Sequence, residues 1–234
     1  MLSPIIVKIA TKIPDKVLIK LTNKLASHYI KKYATINMEG YENVDGNGKP
    51  IIFICNHLSN ADGLILSRVL KERFDPYFVA GVKLSDDPIT SIGSRLVKTI
   101  PIKPNSADKD AITKMVKYTK EGNNLFIFPE GTRSRTRSMI EAKKGILLIA
   151  RLTKATIIPI GISGTDILLP ISEEGNMGGE TWNSADVSIK FGKAVQIPNR
   201  DKEEDKQEYD DKCMNIIMGS IASLLPESYR GVYK

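Results

Sequence analysis

The chain is short of the residues that several functions require. Only two cysteines occur in 234 residues, Cys55 and Cys213. Two cannot build a disulfide framework, and such sparse usage suits a reducing compartment. Aromatic residues make up 6%, which argues against single-stranded nucleic acid as a partner, because bases need stacking platforms. No apolar run approaches the roughly 20 residues needed to span a bilayer. The amino terminus lacks the uninterrupted apolar core of a signal peptide, because Lys8 and Lys12 punctuate it. Histidine is scarce as well, with only two in the chain. One of them, His57, lies between an apolar run and a polar turn.

What is present is ordinary for a globular protein: 41% hydrophobic and 26% charged residues, with length for one large domain or a domain with an appendage. The charge is less ordinary. A formal net charge of +7 and a pI near 9.2 favour anionic partners such as lipid headgroups, phosphorylated metabolites or nucleic acid.

The first 37 residues read as a helical, amphipathic segment. Ile5, Ile6, Ile9 and Ile13, then Val17, Leu18, Leu21 and Leu25, recur at helical spacing. Lys8, Lys12, Lys16, Lys20 and Lys24 run alongside, and Pro14 divides or kinks the segment. Two readings stand: helices packed on a catalytic domain with solvated lysines, or an interfacial helix laid on anionic lipid. Residues 38–234 have a different texture. "IIFIC", "PYFVAG", "KTIPIK", "NLFIFP", "ATIIPIGIS" and "ADVSIKFGKAV" read as strands, the last as a strand or a hairpin. "GLILSRVLKERF", "DPITSIGSRLV", "ADKDAITKMVKYTKEG", "KKGILLIARLTK" and a closing stretch from Asp201 to Leu225 read as helices. This alternation predicts an α/β fold with a largely parallel sheet flanked by helices.

Two strand ends carry candidate chemistry. In "FICNHLSNADGLI", His57 follows directly on a strand, and sites in such sheets gather beyond the carboxyl ends of strands. Asp62 is five residues on, a spacing that places two side chains of one helix about 140° apart. The pair can meet if His57 sits in the turn and Asp62 opens the next helix. The carboxylate would then fix the imidazole tautomer and leave the other nitrogen to take a proton. The bland alternative is a strand end followed by a helix that Asn60 or Asp62 caps. In "LFIFPEGTRSR", Gly131 permits a tight turn, and Arg133 offers a planar fork of donors suited to phosphate. Arg135, Arg137, Lys143 and Lys144 add positive charge. The bland alternative is a surface turn with salt-bridged arginines.

The two stretches together resemble a known family. "NHLSNAD" matches the His-x4-Asp signature of the glycerolipid acyltransferases, the 1-acylglycerol-3-phosphate acyltransferase family. "FPEGTRSR" matches that family's second hallmark, in the right order. "GVKLSDDPITSIG" and "ATIIPIGI" are similar to two weaker blocks, so the resemblance runs from about Pro50 to Ser163. It implies acyl transfer from a thioester, acyl-CoA or acyl carrier protein, to a hydroxyl of a phosphorylated glycerolipid such as 1-acylglycerol 3-phosphate. His57 would be the general base and Asp62 its orienting partner. Arg133 and Lys83 would hold the acceptor phosphate, with Glu130, Gly131 and Thr132 shaping its pocket. No metal or cofactor is implied, the thioester being a co-substrate. A lysophospholipid acceptor lies in a bilayer, so the resemblance also implies a cytoplasmic protein bound peripherally to the inner face of an anionic membrane, with no nucleic-acid partner.

Other classes are weighed against this. A serine hydrolase would need a nucleophile elbow, and "GISGT" lacks the second glycine at the required spacing. A phosphate-loop enzyme would need more than "GNGKP", which ends in proline. A non-catalytic basic module binding membrane or RNA explains the charge but not two polar clusters at strand ends. Glycerol 3-phosphate and other lysophospholipids remain open as acceptors.

Overall fold

Strand and helix alternate along the chain, and the strands join one seven-stranded sheet. The computed structural model describes residues 15–82, 97–103, 108–172 and 179–234. Helix α1 (Asp15–Tyr33) runs directly into β1 (Ala34–Glu39). There follow β2 (Ile51–Cys55), α2 (Asn60–Lys71), β3 (Tyr77–Gly81), β4 (Thr99–Ile102), α3 (Lys109–Lys120) and β5 (Leu125–Ile127). The chain then forms α4 (Gly145–Thr153), β6 (Thr156–Ser163), the short α5 (Thr165–Leu168), β7 (Ala185–Phe191) and α6 (Lys206–Ala222). The order across the sheet is β1-β7-β6-β2-β5-β3-β4, and all neighbours are parallel except β6 and β7. This is the largely parallel α/β architecture expected from the sequence.

The continuous apolar run of β2 has a simple cause. β2 lies between β5 and β6, and all five of its residues are buried. Ile52 and Ile54 face one core layer with Met115, Ile146, Ile149 and residues of α6. Phe53 and Cys55 face the other, with Ala61, Ile65 and Leu66 of α2. A strand buried on both faces has no reason to alternate. Pro159 sits inside β6 without breaking it. Its carbonyl accepts from Gly192 N–H on the β7 side, just past Phe191, the last paired residue of β7. The missing N–H falls on that same side, where the ladder has already ended.

Two expectations change and one open alternative closes. The boundary at 37/38 falls inside β1, which pairs with β7 from Ala34 onward, so the sheet begins four residues earlier. The closing helix starts at Lys206 rather than Asp201, because the Asp205 carboxylate caps it by accepting from the N–H groups of Gln207 and Glu208. The late strand is single, not a hairpin: β7 returns antiparallel to β6. The helix expected over residues 87–97, all but its last residue, lies outside the described residues, as do the chain before Asp15 and Lys83.

Helix α1 has a docked side and an exposed side. Arg68 of α2 reaches Ser27 Oγ at 3.3 Å and Asn23 O at 3.4 Å, and Ile30 is buried. Tyr33 stacks with Tyr29 and with Trp182, and Tyr29 meets Trp182 at a tilt. One face is thus docked. Val17, Leu21 and Leu25, at steps of four, are 54%, 56% and 55% exposed, and Lys20 and Lys24 stand beside them. Among the described residues no helix is long and apolar enough to cross a membrane.

Candidate active site

The sheet order decides the site. β2 and β5 are adjacent and parallel, with Ile54 opposite Ile127. Continuing that register places His57 opposite Glu130, so the two loops that carry the motifs emerge side by side.

His57 lies in the turn between β2 and α2, and Asp62 lies in the first turn of α2. The awkward spacing is resolved as the sequence requires. Asp62 Oδ2 lies 2.8 Å from His57 Nδ1. The same oxygen accepts the backbone N–H of Leu58 at 2.7 Å and of Ser59 at 2.8 Å. Asp62 Oδ1 is buried without a hydrogen-bond partner among the described residues, so one oxygen carries all of the carboxylate's contacts. The helix cap is Ser59, not Asn60 or Asp62: its hydroxyl accepts from Ala61 N–H, and Asp62 completes the capping box. Capping and histidine orientation are therefore one arrangement rather than alternatives.

An ionised carboxylate only accepts, so Nδ1 carries the proton and Nε2 the lone pair. Nε2 has no hydrogen-bond partner among the described residues. The His57 side chain is 19% exposed while that of Asp62 is fully buried, so the pair presents the ring outward and keeps the carboxylate behind it. Phe128 stacks on the imidazole at 3.8 Å between centroids, with the planes 11° apart.

The backbone of His57 is held from both sides by the second loop. Its N–H donates to Glu130 Oε1 at 2.8 Å, and its carbonyl accepts from Ser134 N–H at 2.8 Å. Glu130 Oε2 accepts from Ile140 N–H at 2.9 Å. Glu130 is buried, and its carboxyl is pushed up to about 7. Burial is the main cause; the two N–H donors oppose it, and the nearby Asp62 charge adds to it. The turn "FPEG" closes with Gly131 N–H on Phe128 O at 3.0 Å, and Gly131 takes φ +73°, which favours glycine. Thr132 is exposed. Glu130 is thus a brace for the histidine, not the wall of an open pocket.

Arg133 is salt-bridged, but the ion pair lies largely out of solvent. Its Nη1 donates to Glu180 Oε1 at 2.6 Å, and the two side chains are 15% and 2% exposed. Lys144 adds little free charge to the loop, being paired with Asp211 at 2.5 Å; Arg135 and Lys143 are exposed.

Several supports escaped the sequence reading. Asn56 donates from Nδ2 to Ile162 O at 2.8 Å and accepts at Oδ1 from Ile162 N–H at 2.9 Å. It extends the β2–β6 pairing by side chain and fixes the residue before His57. A polar residue at the end of an apolar strand was the one available signal. The carboxyl-terminal tail props the second loop: Met139 N–H donates to Tyr229 O, and Ala142 N–H donates to the Tyr233 hydroxyl. Ser59 Oγ reaches Leu169 O at 2.6 Å. No local pattern announces partners this far apart in the chain.

The family model described as Acyltransferase matches residues 35–163, which contain both loops. The chain belongs to the acyltransferase family. Among relatives, a chloroplastic 1-acyl-sn-glycerol-3-phosphate acyltransferase of Arabidopsis thaliana, LPAT1, is 30% identical over 64% of this chain and 42% of its own length. The BAT2 enzyme of the same description from Brassica napus is 27% identical over 73% of this chain and 48% of its own. The chain spans about half the length of these relatives. The crystal structure of PlsC from Thermotoga maritima, a 1-acyl-sn-glycerophosphate acyltransferase, aligns over 90% of this chain and 81% of that one. Its TM-score is 0.60 at 23% identity, a likeness of fold.

Proposed function

We propose that this acyltransferase moves a fatty acyl group from an acyl thioester to the free hydroxyl of 1-acylglycerol 3-phosphate, forming phosphatidic acid. The observation that carries the proposal is the His57–Asp62 pair at 2.8 Å, its free Nε2 facing outward beside the loop that holds Arg133. The relatives' names agree with that choice of acceptor.

In this reading Nε2 of His57 takes the proton of the acceptor hydroxyl as its oxygen bonds to the thioester carbonyl carbon. Asp62 steadies the imidazolium that forms. The carbon–sulfur bond then breaks, and the departing thiolate takes the proton back from His57. The chain needs no serine or cysteine nucleophile for this sequence, and no cofactor besides the thioester co-substrate. Acyl-CoA and acyl carrier protein are both donors compatible with it. Arg133, with Lys83, holds the acceptor phosphate; Gly131 and Thr132 border that pocket. The exposed Val17, Leu21 and Leu25 stripe with its lysines rests on an anionic membrane surface, where the acceptor resides. This reading makes the protein a peripheral one on the cytoplasmic face.

Thiol release from acyl-CoA, measured with a panel of acceptors, tests the reading. Release should require an acceptor and should be fastest with 1-acylglycerol 3-phosphate. Release without acceptor would indicate a hydrolase, and preference for glycerol 3-phosphate would reassign the acceptor. No release from acyl-CoA, nor from acyl carrier protein when it replaces acyl-CoA, would reject acyl transfer.

A further inference from the structure

The second loop's arginine has an unusual attachment. Glu180 accepts from Arg133 Nη1 through Oε1 and from Asn60 Nδ2 through Oε2, at 2.6 and 2.8 Å. One nearly buried carboxylate therefore ties the loop after β5 to the first residue of α2, three positions from His57. Glu180 lies outside the 35–163 stretch matched by the family model. Neither motif points to it.

A guanidinium carries its five N–H donors in a fixed fork. Glu180 occupies one nitrogen only. Nε and Nη2 of Arg133 make no hydrogen bond among the described residues, and together they form an edge that matches two phosphate oxygens. A buried carboxylate needs a partner, and breaking such a pair is costly. The ion pair therefore restricts a long side chain to one placement while leaving its fork open.

We infer that Glu180 is the positioning residue for Arg133. It grips the guanidinium through Nη1, anchors it to Asn60 beside the His57–Asp62 pair, and presents the Nε–Nη2 edge to the acceptor phosphate. This rests on the reading of Arg133 as the phosphate ligand. The opposite role is also physically definable: a carboxylate could compete with the phosphate for the arginine.

The test is steady-state kinetics on the full chain, varying 1-acylglycerol 3-phosphate and acyl-CoA in turn. The variants are Glu180→Gln, Glu180→Ala, Arg133→Ala and the double Arg133→Ala/Glu180→Ala. Arg133→Ala should raise the acceptor KM roughly ten- to hundredfold, the worth of a charge-assisted contact. Glu180→Ala should raise it about three- to tenfold, with the donor KM little changed, as expected when a placed charge is loosened rather than removed. Glu180→Gln keeps the shape and an accepting oxygen, so it should fall between; it also carries the test if Glu180→Ala does not fold. Adding Glu180→Ala to Arg133→Ala should raise the acceptor KM no further, because the two act as one unit. A lowered acceptor KM in the Glu180 variants would mean competition and overturn the inference. So would a fall in Tm with both KM values unchanged, the mark of a purely structural ion pair. An unchanged acceptor KM in Arg133→Ala would instead remove the phosphate reading itself.

Discussion

The loops leaving β2 and β5 sit side by side and are built in opposite ways. In the first, Asn56, Ser59 and Asp62 are fully buried, and each of these three side chains has a backbone partner. Asp62 alone holds two backbone N–H groups besides the imidazole. In the second, Glu130 and Ser134 are buried and brace His57, while Gly131, Thr132 and Arg135 are exposed. Arg133 is held there by a single nitrogen. The difference suits the tasks proposed for the two loops. A group that moves a proton must be placed to within a fraction of an ångström. A group that receives a charged ligand must keep donors open to it.

The largest expected effect tests the rigid loop. His57→Ala should lower kcat by roughly 10²–10⁴, or about 3–5 kcal/mol of barrier, with the circular dichroism spectrum unchanged. Near-normal turnover in the folded variant would end the general-base assignment.

Next comes the point where the loops join. Glu130 has a carboxyl pushed up to about 7 from an ordinary 4.5, chiefly by burial. An acid with a higher pKa folded than unfolded binds its proton more tightly in the folded state. Its contribution to stability is complete below about pH 4.5 and is lost as pH rises to about 7, a difference of about 3 kcal/mol. Urea unfolding across this range should show a decline in the wild type that is absent from Glu130→Gln. At pH 4.5 the variant should be the less stable by about 1–3 kcal/mol, because its amide nitrogen faces a backbone N–H; the gap should narrow toward pH 8. Parallel profiles would show that folding does not raise the Glu130 carboxyl.

A subtler variant separates charge from geometry in the first loop. In Asp62→Asn the amide oxygen can take the place of Oδ2 among its three donors, leaving the amide nitrogen at the buried, partnerless position of Oδ1. The tautomer survives and the charge does not. The kcat should fall by roughly tenfold, the difference between a charged and a neutral hydrogen-bond acceptor. A loss as large as that of His57→Ala would mean that the carboxylate does more than orient the ring.

The smallest effect concerns a face that neither loop touches. Replacing Leu21 or Leu25, each about half exposed, by Ser should weaken sedimentation with anionic vesicles by roughly fivefold per site, for about 1 kcal/mol of apolar contact. Tm should hold, because these side chains lie outside the core. Unchanged vesicle binding would return α1 to a purely structural role.

The sequence by itself determined the alternation of strand and helix, because buried strands and amphipathic helices have different apolar periods. It also allowed the His57–Asp62 contact, since a turn followed by a helix start is the local geometry in which that spacing closes. "FPEG" likewise encodes its own turn through Pro129 and Gly131. Tertiary structure alone decided that β2 and β5 are neighbours, which puts the two motifs in one site, and that β1 begins at Ala34. It also decided that Glu130 braces His57, that Asn56 pairs with Ile162, and that Glu180 holds Arg133. Those partners lie 73, 106 and 47 residues apart. Short-range pattern records what a residue needs, a donor, an acceptor or an apolar neighbour. Which distant residue supplies it depends on the order in which the strands assemble.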